Sequence, residues 1–243
     1  MKVAALYRHP IKGIGVEALD QVALTVGDCV PYDRHWAIAQ DGAHFDTAAP
    51  AWVPCRNFVR GAKAQTLMAI TAQMEGESIT LSHPDRPTIT LHPEEDAEHL
   101  IDWLRPLYPD NRPAPAAVVK AGRGMTDSDF PSVSVLNLAS LRAISQRAGA
   151  PLDPRRFRGN IWLEGLPLWE EFEWVGKTLT IGTAKLEVKE VITRCRATHG
   201  NPETGKADVD VLRTLETFGH QEFGVYATVV EAGEIARGDD ATL

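Results

Sequence analysis

Three runs of alternating apolar and polar residues, Leu67 to Gln73, Ser78 to Ser82 and Thr88 to His92, are separated only by short turns containing Glu75-Gly76 and Pro84-Asp85. Period-two alternation needs one buried face, and turns this short join antiparallel neighbours, so the pattern points to a meander or barrel. The cadence recurs along the chain. Strands are predicted at Val3 to Tyr7, Leu19 to Val26, Ala116 to Lys120, Ser132 to Leu136, Thr178 to Ile181, Ala184 to Thr193 and Gly224 to Val230, with Asp41-Gly42 as a further hairpin signal. Helices interrupt it in three places. Glu94 to Tyr108 carries Ala97, Leu100, Ile101 and Leu104 at helical spacing. A second helix opens at Asn137 and stops at Gly149, and Val209 to Phe218 forms a third. The expected class is mainly β (α+β), a β-barrel with peripheral helices plus an N-terminal β-rich domain. The Pro-rich stretch Asp110 to Pro115 sets the expected boundary between residues 1–115 and 116–243.

A chain of 243 residues can bury a sizeable core as one large or two small domains. Its formal net charge of -8 argues against general nucleic-acid binding, which wants a basic surface. Three widely spaced cysteines without a C-x-x-C disfavour a disulfide framework, a structural zinc site and a cysteine-held iron–sulfur cluster. No apolar run approaches a membrane span, and the apolar start breaks after Tyr7, so a cytoplasmic location is expected. Dinucleotide, NTP and serine-hydrolase loops are absent from the sequence, and no two histidines stand four apart on a helix.

Chemistry concentrates in Thr193-Arg194-Cys195-Arg196-Ala197-Thr198-His199, at the end of a β-branched run and before the Asn201-Pro202 to Gly205 turn. Two arginines beside a thiol favour the thiolate, which is both a nucleophile and a soft metal ligand. Lone intracellular cysteines are usually packing residues, and Cys29 and Cys55 are read that way. A change of alternation phase near Lys189-Glu190 predicts a bulge beside this stretch. The polar loop Ala121 to Pro131 reads as a lid or binding loop, and Arg155 and Arg156 as surface charge. Asn137 reads equally as a helix N-cap and as part of an anion site at a helix N-terminus.

Thr193-Arg194-Cys195-x-x-Thr198-x-x-x-Pro202-x-x-Gly205, followed by Phe223-Gly224-x-Tyr226, resembles the MOSC domain. That domain is found at the C-terminus of molybdenum-cofactor sulfurases, and in the mitochondrial amidoxime-reducing component and its bacterial relatives. Tyr7-x-x-Pro10-x-Lys12, Asp33-Arg34-x-Trp36 and Phe157-Arg158-x-Asn160-Ile161 extend the resemblance over nearly the whole chain. It implies molybdenum cofactor (molybdopterin), without pyridoxal phosphate, in a groove between the two domains. Cys195 would ligate the metal, and Lys12, Arg34 and Arg158 would neutralise the cofactor phosphate. Asn137 and Asn160 would bind pterin edges, with Thr193 and Tyr226 closing the site. The implied activity is reduction of N-hydroxylated or N-oxide compounds, fed by an external flavin, haem or iron–sulfur donor protein. Two departures stand out: Gly13 where the family often has serine, and Asp46-Thr47-Ala48-Ala49 where it tends to place an arginine. The competing readings are a non-catalytic carrier of cofactor or sulfur, and a thiol hydrolase or transferase pairing Cys195 with His199 or His220.

Overall fold

The computed structural model describes residues 1–46 and 48–243. Its first half holds β1 (Lys2–Arg8), β2 (Glu17–Leu19), β3 (Gln21–Leu24), β4 (Trp36–Gln40), β5 (Thr71–Glu75), β6 (Ser78–His83), β7 (Arg86–Leu91) and α1 (Ala97–Leu104). The second half holds β8 (Pro115–Lys120), β9 (Val133–Asn137), α2 (Leu138–Ala148), β10 (Ile161–Glu164), β11 (Thr178–Ile181) and β12 (Ala184–Thr193). It continues through α3 (Val211–Glu216), β13 (Glu222–Glu231), β14 (Gly233–Ala236) and β15 (Ala241–Thr242). The fold is mainly β, as the alternating runs require.

An eight-stranded sheet runs β15-β11-β12-β13-β9-β10-β1-β2, antiparallel throughout except where β9 meets β10. Its inner face buries Val135, Ile161, Leu179, Leu186, Val188, Val225 and Ala227, among others. A three-stranded meander, β5-β6-β7, shares a second core with α1, built on Ile38, Leu67, Ile79, Leu81, Leu100 and Leu104. The halves exchange strands across the boundary expected at residue 115. β1 pairs with β10, and β8 returns to pair with β4. Two crossings of this kind accompany the convergence of the loops after β1, before β4 and after β12.

Local chemistry explains the element ends. The Asn137 side chain accepts the Ala139 N–H at 2.8 Å, capping α2, and Gly149 closes that helix at φ 69°. The register of β12 against β13 slips between Val188 and Glu190, where the bulge was expected, and again between Val191 and Thr193. These slips let Ile192 stay buried while Thr193 and Cys195 face outwards. Two strand predictions shift: Leu19 to Val26 divides into β2 and β3, which pair with β1 and β14, and Gln65–Ala69 is a 3-10 turn, so β5 starts only at Thr71. Leu67, Met68 and Ala69 are buried in succession, which a one-sided strand would not allow. No helix among the described residues is long and apolar enough to cross a membrane.

Candidate functional site

A cavity of about 250 Å³ opens where these loops converge. Its walls carry Lys12, Arg34, Asp127, Arg156, Arg158, Thr193, Arg194, Cys195 and Tyr226, and also Cys55 and Arg60. Six of the eight residues expected from sequence therefore meet in one place: Lys12, Arg34, Arg158, Thr193, Cys195 and Tyr226.

Lys12 follows β1 and is almost fully buried. Its Nζ donates to Met125 O at 2.7 Å, Thr126 O at 3.2 Å and Asp127 Oδ1 at 2.6 Å. Burial opposes the Asp127 charge, but Lys12 and Arg34 outweigh it and hold the carboxyl at about 2. The loop read as a lid or binding loop is tied down by these bonds and by Trp52, whose Nε1 donates to Thr126 O at 2.9 Å. Its backbone carbonyls serve as the lysine's acceptors, so the segment forms a wall of the cavity.

Arg34 and Arg158 both hold left-handed backbone, at φ 51° and 49°. Such geometry costs a non-glycine residue about 1 kcal/mol and persists only where contacts enforce it. The two are joined, since Arg34 Nη2 donates to Arg158 O at 3.0 Å. Arg34 also donates to Asp33, a buried carboxylate that accepts the His9 N–H at 2.7 Å. Burial disfavours the Asp33 charge, yet Arg34 keeps the carboxyl below its ordinary range. Burial drives the enclosed His9 imidazole down to about 3, so it is neutral. Arg158 has no carboxylate partner among the described residues: its guanidinium donates to Gly15 O at 3.0 Å and to Ile11 O at 3.2 Å. Burial and the neighbouring Arg34 bring its pKa down to about 9.

Arg194 lies against the stacked Phe157–Phe223 pair, 5.5 Å from the Phe157 centroid and 5.8 Å from that of Phe223. Its fork is spent on Phe157 O at 2.8 Å and Phe223 O, and burial lowers its pKa to about 10. This guanidinium is committed to carbonyls and rings, which changes the expectation for Cys195. The thiol is exposed to the cavity, but the surrounding walls raise its pKa by desolvation. The Ala197 N–H and the Arg194 charge only partly oppose that rise. The free thiol is thus held protonated, and flanking arginines alone do not make it a thiolate. Among the described residues no group of three or more His, Cys, Asp or Glu side chains could hold a metal ion.

Two expected residues lie outside the lining. Asn137 is consumed by the α2 cap and by donating to Pro167 O at 2.7 Å and Glu171 Oε2 at 2.8 Å. Asn160 stands one layer behind: its Oδ1 accepts the Ser134 hydroxyl at 2.8 Å, and Ser134 lines the cavity. Sequence reading also missed two residues. Arg156 is 2% exposed rather than a surface charge. It donates to His199 O at 3.0 Å and pairs with Asp208 at 2.7 Å, clamping the turn that presents Cys195. Cys55 lines the cavity rather than packing in a core, and accepts Arg60 Nη1 at 2.9 Å. Neither had a local signal, because both belong to runs of ordinary loop residues. Gly13 has its own explanation: at φ +75°, a Cβ there would stand 2.8 Å from Arg60 Cα. Of the stretch Asp46 to Ala49, Thr47 lies outside the described residues.

Residues 124–242 match the family described as the MOSC domain, and residues 1–103 that described as the MOSC N-terminal beta barrel domain. A molybdenum cofactor sulfurase from Bombyx mori is 31% identical over 118 residues, covering 45% of this chain and 14% of that protein. The chain therefore spans about a seventh of that relative's length. The YuaD protein of Bacillus subtilis is similar in structure at TM-score 0.48 and 13% identity, over 99% of this chain and 93% of that one. YiiM of Geobacillus stearothermophilus is similar at TM-score 0.35 and 22% identity, over 46% of this chain and 53% of its own.

Proposed function

The chain belongs to the MOSC family, with the family's N-terminal barrel domain ahead of the MOSC domain, and from that premise we propose that its cavity binds molybdenum cofactor for reduction of N-oxygenated compounds. The observation that carries the reading is the meeting of a solvent-facing thiol with a cluster of guanidinium groups in one cavity of a chain whose net charge is -8. Cations gathered against the overall charge suit an anionic ligand. A thiol facing the same space suits a soft metal.

In this reading Cys195 would hold the metal, as a thiolate. Lys12, Arg34 and Arg158 receive the phosphate, and Thr193 and Tyr226 bound the reaction space. Burial keeps the Tyr226 phenol above its ordinary pKa, so it is a neutral hydrogen-bond donor. The bound cofactor supplies the two-electron chemistry. For an N-hydroxylated amine the overall change takes up two electrons and two protons, breaks the N–O bond, and releases amine and water. The electrons come from an external donor protein carrying flavin, haem or iron–sulfur.

A carrier of cofactor or sulfur would use the same contacts without turnover. The deciding experiment compares wild type and Cys195→Ser at equal pterin content, with reduced viologen as donor and an N-hydroxylated amidine as substrate. The expected result is retained folding and pterin with loss of metal and a fall in turnover of about 100-fold or more. Equal turnover in both proteins would remove Cys195 from the mechanism. Bound cofactor without any turnover in wild type would favour the carrier.

A further inference from the structure

The cations around the cavity differ in how far they are committed. Lys12 is bound to Asp127, Arg34 to Asp33 and Arg156 to Asp208. Arg158 and Arg194 are spent on backbone carbonyls. Arg60 is the exception. Among the described residues its half-buried side chain makes one hydrogen bond, to the Cys55 sulfur at 2.9 Å, and no ion pair. A guanidinium has five N–H donors in a planar fork, and sulfur is a weak acceptor. Arg60 lines the cavity with most of its donor capacity unused among the described residues.

Its placement is enforced by the backbone. The Gly13 approach holds the Arg60 Cα against the loop that carries Lys12. On the other side, a Cβ on Gly61 would stand 3.4 Å from the Ala197 Cβ, and the Gln65 side chain donates to Arg196 O at 3.4 Å. The segment from Arg60 to Gln65 is therefore seated directly on the turn that follows Cys195. Cys55, Arg60, Gly61 and Ala62 line the cavity together with Arg158 and Tyr226.

We propose that Arg60 is a specificity residue that receives a carboxylate of the substrate, so that the favoured N-hydroxylated compounds are small acids. This rests on the reductase reading for its chemistry, but the anion subsite itself does not require turnover. A carboxylate offers two oxygens that match the guanidinium fork, and it would replace a thiol contact with charge-assisted bonds. The carboxylate end then sits on the residue 60–62 wall, and the rest of the molecule extends towards Cys195 and Tyr226.

The test uses cofactor-loaded protein and two readouts. Calorimetry compares benzoate with benzamide. Turnover with reduced viologen compares N-hydroxybenzamidine with its 4-carboxy derivative. Wild type should favour the carboxylate in both by about tenfold or more, through KM rather than kcat. Arg60→Gln should lose that preference, and Arg60→Lys should keep part of it, with pterin content unchanged. Cys55→Ala removes the competing thiol and should bind benzoate as well as wild type or better, which keeps the idea testable if Arg60→Gln folds poorly. Absence of a carboxylate preference in wild type, or its survival in Arg60→Gln, overturns the proposal. So does a loss of pterin in Arg60→Gln, which would make Arg60 a cofactor contact, and so does weaker benzoate binding in Cys55→Ala. A benzoate preference lost in Arg60→Gln, in a protein that reduces no N-hydroxylated compound, would retain the subsite and reject the reductase.

Discussion

The wall of the cavity built by Lys12 and Arg34 and the wall built by Arg158 and Arg194 carry equal numbers of cations but hold them differently. On the first, each cation faces a carboxylate, Asp127 or Asp33. On the second, the guanidinium groups donate to carbonyl oxygens of Gly15, Ile11, Phe157 and Phe223. A carboxylate fixes a cation and cancels its charge. A carbonyl fixes it and leaves the charge in place. The first wall is therefore close to neutral until a ligand displaces or outcompetes its acids, and the second carries standing positive charge. Burial records the cost, lowering Arg158 to about 9 and Arg194 to about 10. An anion brought against the second wall would relieve that cost.

The largest expected effect breaks this contrast directly. Arg158→Ala should weaken cofactor retention by about 10- to 100-fold, the worth of a charge-assisted contact, read as pterin remaining after gel filtration. Asp127→Asn should act in the opposite sense, because it frees Lys12 and removes a negative charge from the cavity. A gain of about fivefold is expected at an effective dielectric near that of a surface site. Loss of retention in Asp127→Asn would show that the acid is itself a ligand contact.

Stability separates the clamp behind the second wall from the binding groups. Arg156→Met removes the partner of Asp208 and strips the Thr198 and His199 carbonyls of their donor. A loss of about 2–3 kcal/mol is expected from the denaturant midpoint.

Behind the first wall, His9 gives a pH signature. Its folded pKa lies near 3, below the ordinary 6.5, so the unfolded chain binds the extra proton in between. Stability therefore falls as pH drops through that window, by at most about 1.4 kcal/mol per pH unit from this group. His9→Gln should flatten the slope between about pH 6 and pH 4, and an unchanged slope would assign the acid sensitivity elsewhere. Asn137→Ala removes a helix cap and a donor to Glu171, for about 1–2 kcal/mol with unchanged pterin content.

Much of the architecture was legible in the chain because its rules are local. Alternation placed many of the strands, among them β1, β6, β11, β12 and β13, Asn137 and Gly149 bounded α2, and the phase change at Lys189-Glu190 located the bulge. The motif residues Lys12, Arg34, Arg158, Thr193, Cys195 and Tyr226 were marked by spacing and resemblance, and they do share one cavity. What spacing could not supply was the partner of each side chain. Asn137 and Asn160 have amide groups suited to a pterin edge, but tertiary neighbours claim those groups first. Arg156 sits beside Arg155 in a basic run, and only the return of the Cys195 turn buries one while the other stays half-buried against Asp153. Cys195 follows the same logic. The sequence determined that a thiol stands between two arginines. The fold decided that Arg194 points its fork at carbonyls and that burial raises the thiol's pKa, because electrostatics depends on distance and solvent in three dimensions rather than on adjacency along the chain.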